Sequence, residues 1–198
     1  GPLGAEIWIG LPEEHNARVA LLQDAPPVED PLIAAFLSTF TPETFTGRAH
    51  FAGEDGITEI AHLFNEPAAW RGEFPSGGGI ASARGLARMY DAVARGGAGV
   101  VSEESIAAHT AEQIRGPDLV LLFETRFGLG FMRPTPFVNL GPSDAAFGHG
   151  GLGGSVAFAD PDRHIAFAYV PNQLQYPAMG ETTRAGALVA AVYGSLDA

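Results

Sequence analysis

Phe147-Gly148-His149-Gly150-Gly151-Leu152-Gly153-Gly154-Ser155 is the densest chemical signal in this chain, with five glycines in nine residues and one imidazole among them. A short apolar run, Ser155 to Ala159, follows at once. Glycine weakens a strand unless a turn, a backbone or a ligand comes close, so this spacing needs a reason. The plainest is a tight entry into a strand. A second is a backbone that a substrate can approach, with His149 beside it to supply a polar contact.

Other chemistries can be set against the same residues. Gly148-x-Gly150-x-x-Gly153 has the form of a dinucleotide fingerprint, but that fingerprint must leave a strand and open a helix. Here Pro142-Ser143-Asp144 precedes it and an apolar strand pattern follows. Gly153-Gly154-Ser155 suggests a nucleophile elbow, yet Ala157 stands where the last glycine belongs and no helix follows. Asp160 and His164 come in the right order but flank one turn. His15, His50, His62, His109, His149 and His164 give no pair at the i, i+4 spacing of a zinc helix. No metal and no cofactor is expected.

The elements that must hold the motif are legible in part. Ile165 to Val170 is a second apolar run, separated from the first by Asp160-Pro161-Asp162-Arg163-His164. Proline fixes φ and the aspartates favour a turn, so a β-hairpin is predicted. Alanines alternate with Phe, Tyr and Ile, which predicts one crowded face and one of large residues. Leu119–Phe123 and Phe127–Met132 read as further strand pieces, and Glu6–Leu11 as another. Ser82 is a good N-cap for a helix carrying Leu86, Met89, Tyr90 and Val93 at helical spacing and ending at Gly96-Gly97. Ser102 caps the next, with Glu103 and Glu104 at its positive end. Pro31–Phe40 is a helix with proline at its first position. Glu181–Leu196 is the last, read from Leu188, Val192 and Leu196. The fold class is therefore α/β of the α+β type, an antiparallel sheet flanked by helices.

The chain has 198 residues and a formal net charge of −12, with no cysteine. All eleven basic residues are arginine. Without lysine this chain can form neither a P-loop nor a Ser-x-x-Lys pair. No basic cluster is present, which speaks against nucleic acid and an anionic membrane surface as partners. No apolar run approaches the roughly 20 residues of a membrane span. Gly1–Gly10 lacks the pattern of a signal peptide and reads as the middle of a protein. Compartment stays open, with the cytoplasm favoured.

His149-Gly150-Gly151 followed by Leu152-Gly153-Gly154-Ser155 resembles the third motif of the β-lactamase-like serine hydrolases, in the His-x-Gly form of their esterase branch. Pro75 to Ser82 leading into a helix, Phe127 to Phe131, Phe158 to Pro161, and Tyr169 to Gln173 around Asn172 resemble the family's flanking segments in order. The resemblance covers essentially residues 1–198 and implies the C-terminal portion of one β-lactamase/transpeptidase-like domain. The family's nucleophile and its proton partner come from Ser-x-x-Lys, which this chain lacks, and the Tyr motif is missing too.

What the resemblance implies is a serine hydrolase acting on carboxylic esters through an acyl-enzyme. His149, Gly151 and Leu152 would be catalytic positions, the Leu152 N–H forming one arm of an oxyanion hole. Gly150 and Asn172 would contact substrate. Histidine where the lactam-hydrolysing relatives carry lysine tilts the substrate toward uncharged esters and away from penicillins. The partners expected are a small ester, the missing N-terminal segment and another copy of the chain. Alone, the chain is expected to be inactive. β-Lactamase or peptidase activity, and a catalytically dead interaction domain, are the alternatives.

Overall fold

The computed structural model describes residues 1–50, 60–178 and 180–196. Strand β1 (Ile7–Ile9) leads into a 3-10 turn at Glu13–Arg18 and a helical stretch broken by prolines: α1 (Pro31–Leu37), α2 (Phe45–Ala49), α3 (Ala61–Phe64) and α4 (Pro67–Arg71). Asp30 caps α1, accepting from the N–H groups of Leu32 and Ile33, and Pro31 occupies its first turn. Strand β2 (Gly79–Ala81) pairs antiparallel with β1, Trp8 opposite Ile80.

Helix α5 (Ala83–Ala94) begins where Ser82 Oγ accepts from Gly85 N at 3.0 Å. Helix α6 (Glu103–Thr110) begins where Ser102 Oγ accepts from Ser105 N at 3.1 Å. Both starts follow from a short hydroxyl side chain satisfying an orphan amide of the first turn.

The main sheet then forms from β3 (Ile114–Pro117), β4 (Glu124–Phe127), β5 (Phe147–Gly150), β6 (Val156–Asp160) and β7 (Ile165–Tyr169). Neighbours pair antiparallel, with Ile114 opposite Phe127, His149 opposite Ala157, and Phe158 opposite Phe167. Met132 bridges Phe127 on one side and Gly148 on the other, which joins the β3–β4 ladder to the β5–β6–β7 ladder. The antiparallel sheet between helices agrees with the expected fold class.

The predicted hairpin is β6–β7, and its two faces differ as the alternation requires. Ala157, Ala159, Ala166 and Ala168 face α5, where Tyr90, Leu86, Met89 and Val93 pack on them. Val156, Phe158, Ile165, Phe167 and Tyr169 face the other way, toward Met132, Val138, Leu140 and helix α7 (Arg184–Leu196). Small side chains let α5 lie close to the sheet, and large ones fill the space under α7.

Three readings of the sequence are corrected. Leu119–Phe123 is a turn, because Asp118 Oδ1 takes the N–H groups of Val120 (2.8 Å) and Leu121 (2.9 Å). Such a local side-chain bond competes with a strand ladder. The strand in that region is β3 instead, an edge strand whose Arg, Gly and Pro hide the usual apolar signal. Of Phe127–Met132 only the two ends reach the sheet, since Gly128 N bonds Phe131 O at 2.8 Å and Gly130 is left-handed at φ +88°. Helix α7 starts at Arg184 rather than Glu181, and its buried side is Ala185, Val189 and Tyr193. Leu188 and Leu196, whose spacing marked the helix in the sequence, are 46% and 51% exposed. The inward face is one residue further round because Tyr193 anchors it, donating to the fully buried Asp160 at 2.7 Å.

Candidate functional site

Strand β5 delivers the glycine-rich motif to the end of the sheet. Gly148 exchanges two backbone bonds with Met132 (3.0 and 2.7 Å), so its polar groups point away from β6. Residues two apart on a strand share a direction, which aims the polar groups of Gly150 at the same outer edge. Met132 ends its pairing at Gly148, and no backbone group meets Gly150 N there among the described residues.

His149 is exposed at this edge, its ring tilted at 51° to that of Phe127 with centroids 6.1 Å apart. Its Nδ1 lies 2.5 Å from Gly150 O. A carbonyl has no proton to give, so Nδ1–H is the donor, and in the neutral ring Nε2 is left as an acceptor. The sequence analysis placed His149 beside the strand as a polar contact and, by resemblance, among the catalytic positions. The structure turns its donor back onto the strand.

Beyond Gly150 the chain turns tightly into β6. Gly151 N bonds Ser155 O at 2.7 Å, and Gly154 N bonds Gly151 O at 3.1 Å. A Cβ on Gly151 would lie 2.2 Å from Ser155 Oγ, so this glycine is required by packing. Gly153 is left-handed at φ +86°, and a Cβ there would strike Leu174 at 2.4 Å. These two glycines therefore build the turn, as the plainer reading had it. Leu152 sits at the tip, 41% exposed, and its N–H has no hydrogen-bond partner among the described residues. Ser155 enters β6 directly and has no helix behind it, so the elbow geometry is absent.

Asn172 is brought near the turn through its neighbours, but its side chain is engaged elsewhere. Asn172 Nδ2 donates to Leu21 O at 3.4 Å, and Asn172 O accepts from Gln23 N at 2.7 Å. Leu174 N then bonds Gln23 O at 2.9 Å, and Gln175 N bonds Gly153 O at 3.0 Å. Residues 21–23, 172–175 and the Gly153 turn thus form one wall. Arg184, which sequence reasoning passed over, clamps that wall. Its Nε donates to Gln175 Oε1 at 2.9 Å, and its Nη2 to Gln173 O at 2.6 Å. The available signal was its isolation, as the lone charged residue of α7.

The end of β5 thus has two N–H groups with no partner among the described residues, of Gly150 at the outer edge and of Leu152 at the tip of the turn, close in sequence to an imidazole. Aligned amide donors stabilise negative charge on a carbonyl oxygen, at about 10²–10³ in rate for each donor. No helix among the described residues is long and apolar enough to cross a membrane.

A family model described as Beta-lactamase matches residues 2–191. The Esterase/beta-lactamase LipL of Mycobacterium tuberculosis (strain ATCC 25618 / H37Rv) is 40% identical over 123 residues, covering 60% of this chain and 28% of that protein. A penicillin-binding protein homologue from Caulobacter crescentus superposes with a TM-score of 0.75 at 37% identity, over 98% of this chain and 49% of that one. A family VIII carboxylesterase superposes with a TM-score of 0.78 at 29% identity, over 98% and 48%. The chain spans about half the length of these solved structures.

Proposed function

The chain belongs to the β-lactamase family, and from that premise we propose that it is the third-motif portion of a serine esterase. Residues 1–198 are the C-terminal part of one domain, and the Ser-x-x-Lys and Tyr groups come from a segment outside them. The observation that carries this reading is the Leu152 N–H, unpartnered among the described residues, at the end of β5 next to His149-Gly150-Gly151. The chain's lack of lysine requires the nucleophile pair to be supplied from elsewhere.

In the completed enzyme the serine oxygen attacks the ester carbonyl, and the carbonyl oxygen takes the developing charge. Leu152 N–H receives that charge together with the serine's own N–H. The C–O bond to the alcohol breaks, the alcohol leaves with a proton, and water then attacks the acyl-enzyme to release the acid and restore the serine. His149 and Gly150 border the acyl group, and the wall of Asn172 and Arg184 fixes the turn that carries Leu152.

Two further observations support a completing segment. No charged residue occurs between Ala185 and Leu196, while Leu188 and Leu196 lie open. A helix apolar on every side is normally covered. The relatives named as an esterase/β-lactamase and a carboxylesterase support the ester as substrate class. Imidazole in place of a lysine ammonium favours an uncharged ester over a penicillin carboxylate. Replacing His149 with alanine in the completed enzyme should lower ester turnover more than tenfold. Unchanged turnover would remove His149 from the site.

A further inference from the structure

Between the last turn of α5 and the β6–β7 turn lies a cavity of about 180 Å³, lined by Asp91, Ala94, Arg95, Pro161, His164 and Ile165. Gly150 pairs with Val156 at one end of β6 and Asp160 with Ile165 at the other, roughly 13 Å away at the rise of a strand, so the cavity is separate from the site on β5. Its volume is below that of sites for drug-sized ligands, which suits a small molecule. Ala94, Pro161 and Ile165 give it an apolar wall. The polar wall is an ion pair, Arg95 Nε donating to Asp91 Oδ1 at 2.7 Å. Asp91 Oδ2, both Arg95 Nη groups and the His164 ring meet no hydrogen-bond partner among the described residues. His164 stands in the left-handed region at φ +55°, where a turn ordinarily places glycine or asparagine. Such strained positions cluster at functional sites, and this one borders the cavity.

We propose that this cavity binds a small zwitterion of the α-amino-acid class with an aliphatic side chain. The ligand carboxylate sits on the Arg95 guanidinium, its ammonium on Asp91 Oδ2, and its side chain against Ala94, Pro161 and Ile165. The charge pattern selects the class. A simple anion meets the Asp91 carboxylate and a chain of net charge −12, and a simple cation meets the Arg95 guanidinium. A zwitterion sets each of its charges against the opposite one. The planar fork of a guanidinium matches a carboxylate, and an imidazole has both a donor and an acceptor to offer. The inference goes beyond the esterase reading and does not rest on it.

The test uses the protein together with the segment that completes it, labelled with nitrogen-15, and L-leucine as the probe. Amide signals of residues 91–96 and 162–165 should move along one saturable curve, with a dissociation constant in the millimolar range expected of so small a ligand. 4-Methylpentanoate, which lacks the ammonium, and 3-methylbutylamine, which lacks the carboxylate, should each bind roughly two- to fivefold more weakly, the worth of one exposed ion pair. Arg95→Gln should weaken leucine binding by a similar factor. His164→Gly should weaken it while holding or raising the melting midpoint, because glycine takes the left-handed turn without strain. That pairing separates a lost contact from a damaged fold. No saturable shift at these amides, an analogue that binds as tightly as leucine, or unchanged binding in either variant overturns the proposal. A lowered midpoint in His164→Gly would trace the residue to the fold and overturn its role at the cavity.

Discussion

Removing one hydroxyl, by Tyr193→Phe, should destabilise the protein far more than its size suggests. Asp160 ends β6 fully buried, and its Oδ2 accepts from Tyr193 Oη at 2.7 Å. Its other oxygen has the longer contact from Arg163 N, at 3.3 Å, among the described residues. A hydrogen bond to a carboxylate contributes roughly 1.5–3 kcal/mol, and a buried oxygen stripped of its donor carries the full desolvation cost. Water cannot replace the hydroxyl, because the Gly141 backbone is packed so closely that a Cβ there would sit 2.3 Å from Tyr193 Oη. The upper part of that range therefore applies, about 2–3 kcal/mol. For a chain of this size it lowers the melting midpoint by about 5–10 °C, or the urea midpoint by about 1 M. Urea unfolding of Tyr193→Phe, Asp160→Ala and the double variant forms the assay. The double variant should cost less than the sum of the singles by about 2 kcal/mol. A Tyr193→Phe loss below about 0.5 kcal/mol, or simple additivity, would refute the reasoning.

The other predictions concern the turn, a cap and alkaline pH. Gly151→Ala should destabilise by roughly 1–3 kcal/mol because its Cβ meets Ser155 Oγ, and Ser155→Ala in the same protein should recover most of that loss in a thermal melt. Ser82→Ala removes the cap of α5 and should cost about 1 kcal/mol in urea unfolding. Burial pushes the Tyr90 phenol up to about 12, and burial, then Asp24, pushes Tyr176 to about 12. A folded-state value above the unfolded one gives stability that is complete below about pH 10 and is lost as pH rises through the folded value. Unfolding free energy should therefore fall above about pH 10, by up to about 1.4 kcal/mol per pH unit for Tyr90. Denaturant titrations across that range, with phenolate absorbance as the probe, check it; a flat profile would contradict the burial of Tyr90.

Where the sequence carries its own local physics, it reads directly into the fold. Asp30, Ser82 and Ser102 mark helix starts because a cap is made by one side chain with its nearest amides. The β6–β7 hairpin and its two unlike faces follow from alternation about a Pro-Asp turn. The misses are of two kinds, one decided at a distance and one by a neighbouring side chain. Leu188, Val192 and Leu196 give a good stripe on paper, yet the burial of Asp160 33 residues away turns Tyr193 inward instead. Leu119–Phe123 is apolar enough for a strand, but Asp118 folds it into a turn. In the site, the glycine motif and His149 are legible by type, while the direction of the ring and the clamp of Arg184 depend on carbonyls the sequence does not reveal.

The account turns on where the acyl group attaches. The protein as isolated can be mixed with an activated ester, quenched during turnover and its polypeptides weighed and mapped by mass spectrometry. The account predicts an acyl adduct on a serine of a Ser-x-x-Lys segment outside these 198 residues, and an unmodified chain here. An adduct on Ser155 or any other residue of this chain, formed with no other polypeptide present, would contradict it.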